Sequence, residues 1–365
     1  MTTTINLTPH MFRDKERTLV EFGTLSATVF RYSSGVCAIR IENKKGSLIL
    51  LPFQGQQIWS AEFGSIAVER RNITMQSIFS EPRPTRDFLS TFGGFCQHCG
   101  ATGSGAPGPD DTHPLHGELP NAPYQKAMLC TGEDDEGPFI ALGGKYRHQA
   151  FFSSDYLAEP RVKLHAEASC FSVCMQITNK KRTDMDLMYA AHVNFRPVDN
   201  GKLHYSAPYT SDAVRLRKMV PSHIQVEPEY LELLADLEKD PTKHHILSPD
   251  LMTDPELVFF INYLSDEDGW AHSLLEHPDG SGDFIRHRPD ETPRGTRWIS
   301  RTPDQDAIAM VEPGTCEPEG YTAEKNKGNM VVLAPGEAFS TTFECGVLSP
   351  SEASKLIGHI NALIQ

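Results

Sequence analysis

The chain has 365 residues and a formal net charge of −14, from 48 acidic against 34 basic side chains. That balance, with no basic block to offset it, excludes nucleic acid as an expected partner. No apolar run approaches the ~18 residues that a membrane-spanning helix needs, and residues 1–14 lack the apolar core of a secretory signal, so no membrane association and a cytoplasmic setting are expected.

An apolar fraction of 39% is ordinary for a globular chain once glycine is added, and the length allows a large core. The eight cysteines are scattered and fit reduced thiols, several of them packing as small apolar groups in strand-like runs such as Cys170 to Cys174.

In chain order, residues 18–51 read as a succession of strands. Ala27-Thr-Val-Phe-Arg-Tyr is β-rich, Ser33-Ser-Gly is a turn, and Val36-Cys-Ala-Ile-Arg-Ile alternates before a second turn at Asn43-Lys-Lys-Gly. The meander continues through 54–59 and 65–68. Residues 88–105 carry Gly93, Gly94 and Gly100 and are expected to be a folded-in loop lining a site.

Within that loop, Cys96-Gln-His98-Cys99 has the spacing of a zinc clip, but no second clip completes four ligands, so no metal is expected. No phosphate-binding loop, dinucleotide fingerprint or Gly-x-Ser-x-Gly elbow is present.

The segment His113-Pro-Leu-His116-Gly117 follows. Pro114 holds His113 extended, and Gly117 permits a sharp turn or close backbone approach, so an imidazole is presented at a turn. A solvated surface loop is the plainer reading.

Strand signals resume at 139–142, 163–168, 170–177 and 185–193, separated by polar turns. The last run ends in Tyr189-Ala-Ala-His192-Val-Asn194-Phe195, with small residues beside an imidazole and an amide two residues on, facing the same side. A core histidine bonded to backbone is the alternative there.

Further strands are expected at 256–263, 307–311, 330–333 and 338–343, with short strands and loops over 266–297. Glu312 follows the 307–311 run directly. It is either a strand-end carboxylate in water or one with a raised pKa at the edge of a groove.

Two helices are predicted, at 228–238 and after Ser349. The second opens with the capping box Ser349-Pro-Ser-Glu352. Many antiparallel strands with few helices, one of them at the C-terminus, predict an all-β sandwich.

Taken together, His113-Pro-Leu-His116-Gly117, Ala191-His192-Val-Asn-Phe195, and Val311-Glu312-Pro313 followed by Leu333-Ala-Pro-Gly-Glu337 resemble the aldose 1-epimerase (galactose mutarotase) family. The similarity spans most of the chain and is closest to an uncharacterised, mutarotase-related branch.

The resemblance implies one large β-supersandwich over residues 1–365, a monomer or homodimer, with the site on an open concave face. It implies exchange of sugar anomers by ring opening and closure, with Glu312 as base, His192 as acid and His116 holding the sugar, and no cofactor. His98, Asn194 and Arg86 are the further candidates for binding a small-molecule carbohydrate, Arg83 being the alternative arginine. The family's sugar-gripping aspartate has no clear counterpart among Asp266, Asp268 and Asp283. A carbohydrate-binding or sensing protein, or an epimerase or isomerase of a modified sugar, are the alternatives on the same fold.

Overall fold

A computed structural model describes residues 2–65, 68–218, 226–251 and 253–365. The strand expected at 65–68 crosses Ile66 and Ala67, which lie outside the described residues.

Two antiparallel sheets, of nine and thirteen strands, face each other across the main apolar core. Alternation along the strands explains the layering. In Asp155–His165, Tyr156, Ala158, Val162 and Leu164 point inward, and in the adjacent Cys170–Asn179 strand Phe171, Val173, Met175 and Ile177 do so. Each large apolar side chain buried this way contributes about 1.5–3 kcal/mol. The same alternation places Cys170 and Cys174 on the outer, half-exposed face, where Cys170 packs as a small apolar group against the Leu274 and Phe284 cluster and Cys174 meets the Thr342 hydroxyl.

The C-terminal helix is Pro350–Leu363, and both arms of its capping box form between Ser349 and Glu352. It lays Ala353 and Ile360 on Leu274 and Phe284. The other predicted helix is Pro228–Lys239, which buries Tyr230, Leu234 and Leu237 and leaves Leu231 exposed. A third, Tyr321–Lys327, went unpredicted because it is short and has no apolar stripe.

The main difference from expectation lies at Cys96–Ala101. The glycines of 88–105 argued for a loop, yet this part is a fully buried strand in the middle of the larger sheet, between Ile58–Ser65 and Met185–Val193. Its one glycine permits close approach: a Cβ on Gly100 would stand 2.2 Å from the Met188 carbonyl oxygen. The turn expected at His116 does form. His116 has φ +59° and Gly117 φ +77°, and a Cβ on Gly117 would meet the carbonyl oxygens of Gly100 and Gly103 at 2.3 and 2.4 Å.

Candidate functional site

Four neighbouring strands build the site: Cys96–Ala101, Met185–Val193, Asp306–Gly314 and Arg294–Arg301. Ala190 pairs with Gly314, which sets His192 directly opposite Glu312. His192 in turn pairs with Gln97, and Glu312 with Thr296. Residues directly opposite in a ladder share a face, so Thr296, Glu312, His192 and Gln97 form one polar row across the sheet, on the face away from the main core.

His192 Nε2 and Glu312 Oε1 are 3.2 Å apart, and their residues are only 5% and 4% exposed. Asn194 fixes the ring. Its Nδ2 donates to the Gly94 carbonyl oxygen at 3.0 Å, so its Oδ1 is the atom facing His192 Nδ1 at 2.5 Å. Nδ1 therefore carries the proton of the neutral imidazole, and Nε2 offers its lone pair towards Glu312.

The open, wet concave face implied by the resemblance is not what covers these groups. Phe92 and Trp298 stand edge-on to the His192 ring at 5.1 and 5.2 Å, and Phe88 packs on His116 at 4.6 Å. Beneath this cover, burial raises the Glu312 carboxyl to about 8, with the nearby Glu256 charge adding to it and Arg217 opposing it. Burial lowers His192 to about 4, which the Asn194 hydrogen bond only partly offsets. Desolvation thus outweighs the pair's attraction for both groups. At neutral pH the pair holds one proton and no net charge, with the proton on Glu312.

His116 sits 5.6 Å from His192, ring to ring, and is half-buried. Burial first, and then repulsion from His192, Arg217 and His113, lower it to about 3, so it is a neutral donor or acceptor. Behind the cover, Glu256 accepts from Trp298 Nε1 at 2.7 Å and pairs with Arg217. These two, with Phe88, Phe92 and Trp298, complete the cluster. Phe88 and Phe92 fall in the segment expected to line a site, but nothing in the sequence pointed to Glu256, Arg217 or Trp298.

Two of the expected binding residues lie elsewhere. His98 is one residue out of phase with the site row, so it faces the core, where Nδ1 meets the Tyr189 hydroxyl at 2.8 Å. Arg86 is exposed and interacts with Tyr146 of the other sheet, while Arg83 lies over the Phe79 ring. His116, His192, Asn194 and Glu312 do converge.

The aspartates go to other partners. Asp283 pairs with Arg71 and His277, Asp266 accepts from His272, and Asp268 is exposed.

Cys96 and His98 point to the core face and Cys99 to the opposite one, so they do not form a metal clip. Two other groups of donors do cluster. Asp266, His272 and His359 bring one atom each within 4.8 Å of the others, and so do Glu317, Glu319 and Glu324. Lys327 Nζ pairs with all three of the glutamates. A surface cleft of about 570 Å³ beside His113, Glu118, His148 and Tyr321 excludes His116, His192 and Glu312 from its lining.

A family model described as a domain of unknown function, DUF4432, matches residues 33–347. No curated protein matches the sequence. Among solved structures, a Klebsiella pneumoniae protein provisionally called an aldose 1-epimerase superposes with a TM-score of 0.77 at 17% identity, covering 100% of this chain and 96% of that one. A galactose mutarotase-like protein from Clostridium acetobutylicum gives 0.60 at 12% identity, over 89% and 99% of the two chains. A protein from Escherichia coli K12, also provisionally called an aldose 1-epimerase, gives 0.53 at 13%, over 88% and 99%. Likeness at these identities establishes a galactose mutarotase-like fold.

Proposed function

The chain belongs to the DUF4432 family and carries a galactose mutarotase-like fold, and on that premise we propose that it interconverts the anomers of a free sugar. One observation carries the reading: a buried carboxyl and a buried imidazole 3.2 Å apart, sharing one proton.

Anomer exchange needs a base to take the proton of the C1 hydroxyl and an acid to protonate the ring oxygen. Cleavage of the bond from C1 to the ring oxygen leaves an open-chain carbonyl. Rotation about C1–C2 turns its other face to the returning hydroxyl, and the protons go back in the reverse sense. The Glu312–His192 pair gives one proton and takes one at each step, so its count is unchanged. A positioned acid or base of this kind is worth ~10²–10⁴-fold.

The resemblance makes Glu312 the base and His192 the acid, whereas the resting protonation is the reverse. Transfer of the proton from Glu312 to His192 Nε2 converts one form into the other with the same total. Reaction therefore requires the singly protonated pair, whichever member starts with the proton. Neutral His116 hydrogen-bonds the sugar near its ring oxygen, and the segment carrying Phe88 and Phe92 moves to admit it.

Saturation-transfer NMR over a panel of free aldoses and ketoses tests the proposal. Enzyme-dependent exchange between the anomer signals of at least one sugar is expected. The second reading, a carbohydrate-binding or sensing protein, draws on the nearly complete cover of the pair. It prevails if no sugar exchanges but one raises the protein's melting temperature.

A further inference from the structure

Gln97 is fully buried, yet neither its amide oxygen nor its amide nitrogen has a hydrogen-bond partner among the described residues. Buried polar side-chain atoms are almost always paired, so two orphans on one residue call for an occupant. Its register places it directly opposite His192, on the same face of the sheet.

One step further along the row, past the Ile58–Cys96 pair, comes Gln57. It is also fully buried. Its Nε2 donates to the Pro120 carbonyl oxygen at 2.7 Å and to Asn121 Oδ1 at 2.8 Å, and its Oε1 has no partner.

Resting on the proposed anomer exchange, we infer that Gln97 is a substrate-binding residue that recognises neutral hydroxyl groups of the sugar, next to the carbon that Glu312 and His192 serve. The donor inventory sets the ligand class. Along this row the unpartnered groups are two amide oxygens, on Gln97 and Gln57, and one NH₂, on Gln97; in the wider cluster Arg217 Nε is the other unpartnered donor. Amide oxygens need donors, which a sugar hydroxyl supplies. An ionised carboxylate or phosphate has none, and would set acceptor against acceptor in a buried place. The cation acting on Glu312, Arg217, has its Nη2 and its charge paired with the Glu256 carboxylate, leaving Nε as its one buried donor without a partner among the described residues. The position beside Gln97 therefore takes an unmodified hydroxyl, and rejects a sugar acid or phosphate bearing its charge there.

The test compares wild type with Gln97→Met, an apolar side chain of similar length. The probes are glucose, galactose, their single-deoxy analogues, the matching uronic acids and the 6-phosphates. Anomer exchange and ligand-induced melting shifts are both measured. The substitution is expected to raise KM at least tenfold for a neutral sugar that wild type exchanges, with kcat changed less than threefold. One deoxy analogue, lacking the hydroxyl that Gln97 holds, is expected to lose nothing further in the variant. The unliganded variant should melt no lower than wild type, because the substitution removes two unpaired buried atoms.

If Gln97 is instead a structural group satisfied by trapped water, the variant melts lower and KM stays unchanged for every sugar, which overturns the inference. A charged sugar preferred over its neutral parent also overturns it. Should the methionine variant not fold, Gln97→Ala is read by the same KM comparison. If no sugar exchanges but a neutral one shifts the melting of wild type and not of the variant, anomer exchange falls and the role of Gln97 stands. No exchange and no shift from any probe overturns both.

Discussion

His98 and His192 occupy adjacent strands, one register step apart, on opposite faces of the same sheet. Both are buried, and burial lowers both to about 4. On the core face, His98 meets the Tyr189 hydroxyl among apolar neighbours. On the other face, His192 looks across 3.2 Å at a carboxyl that burial has kept protonated, beside an amide with no partner. Burial and a shifted pKa do not distinguish the two. Proton-exchanging company and unfilled hydrogen-bonding capacity do.

Mutation of each face gives the sharpest test of that contrast. Glu312→Gln and His192→Asn should each cut anomer exchange by ~10²–10⁴-fold, and the double variant by less than the product, since the pair acts as a unit. His98→Gln should leave exchange within a few-fold of wild type and lower stability by ~1–3 kcal/mol, as expected for a disturbed buried hydrogen bond. Exchange lost in His98→Gln at an unchanged melting temperature would break the comparison.

The pH profile comes next. The active form carries one proton on the pair, so the rate should fall below about 4, where His192 gains a second proton, and above about 8, where Glu312 ionises. The limbs belong to the coupled pair, and His192→Asn should erase the acid limb from the residual rate. Limbs at the ordinary ~4.3 and ~6.5 would mean that the cover does not desolvate the pair.

Stability should respond with a definite sign. The folded-state pKa of Glu312, about 8, lies above its unfolded value. Below the unfolded pKa of ~4.3 both states keep the proton. Between the two values the unfolded chain sheds its proton and the folded one retains it, so the wild type loses stability as pH rises through that window. Glu312→Gln escapes this loss. Its melting advantage, on the order of 2 kcal/mol after allowing for relaxation of the site, should be full above pH 8 and shrink towards pH 4. An advantage that grew instead on acidification would place the carboxyl's folded pKa below its ordinary value.

The smallest effect concerns the cover. Phe92→Ala admits water beside His192 and should move the alkaline limb down by up to ~1 pH unit, with the acid limb moving up. Profiles that coincide with wild type would assign the desolvation to Trp298 and Phe88.

Much of this protein was determined locally and was therefore readable in its sequence. Period-two alternation in 155–165 and 170–179 follows from strand geometry, and the capping box at Ser349 needs only residues within one turn. His116, Asn194 and the 306–314 strand ending near Glu312 were legible because turn chemistry and i, i+2 spacing act over a few residues. Tertiary structure alone decided the rest. Which face His98 takes depends on a one-residue phase relative to a strand about ninety residues away. Arg86 carries the right charge, but the chain path takes it to Tyr146. The order of protonation in the pair rests on desolvation by Phe92 and Trp298 and on the Glu256 charge, from three separate segments. Gln97 looked like a residue inside a zinc-like clip until the ladder set it across from His192. Local pattern specifies which elements form and which faces they bury, but pKa values and unfilled partners depend on through-space distances that only the assembled sheets define.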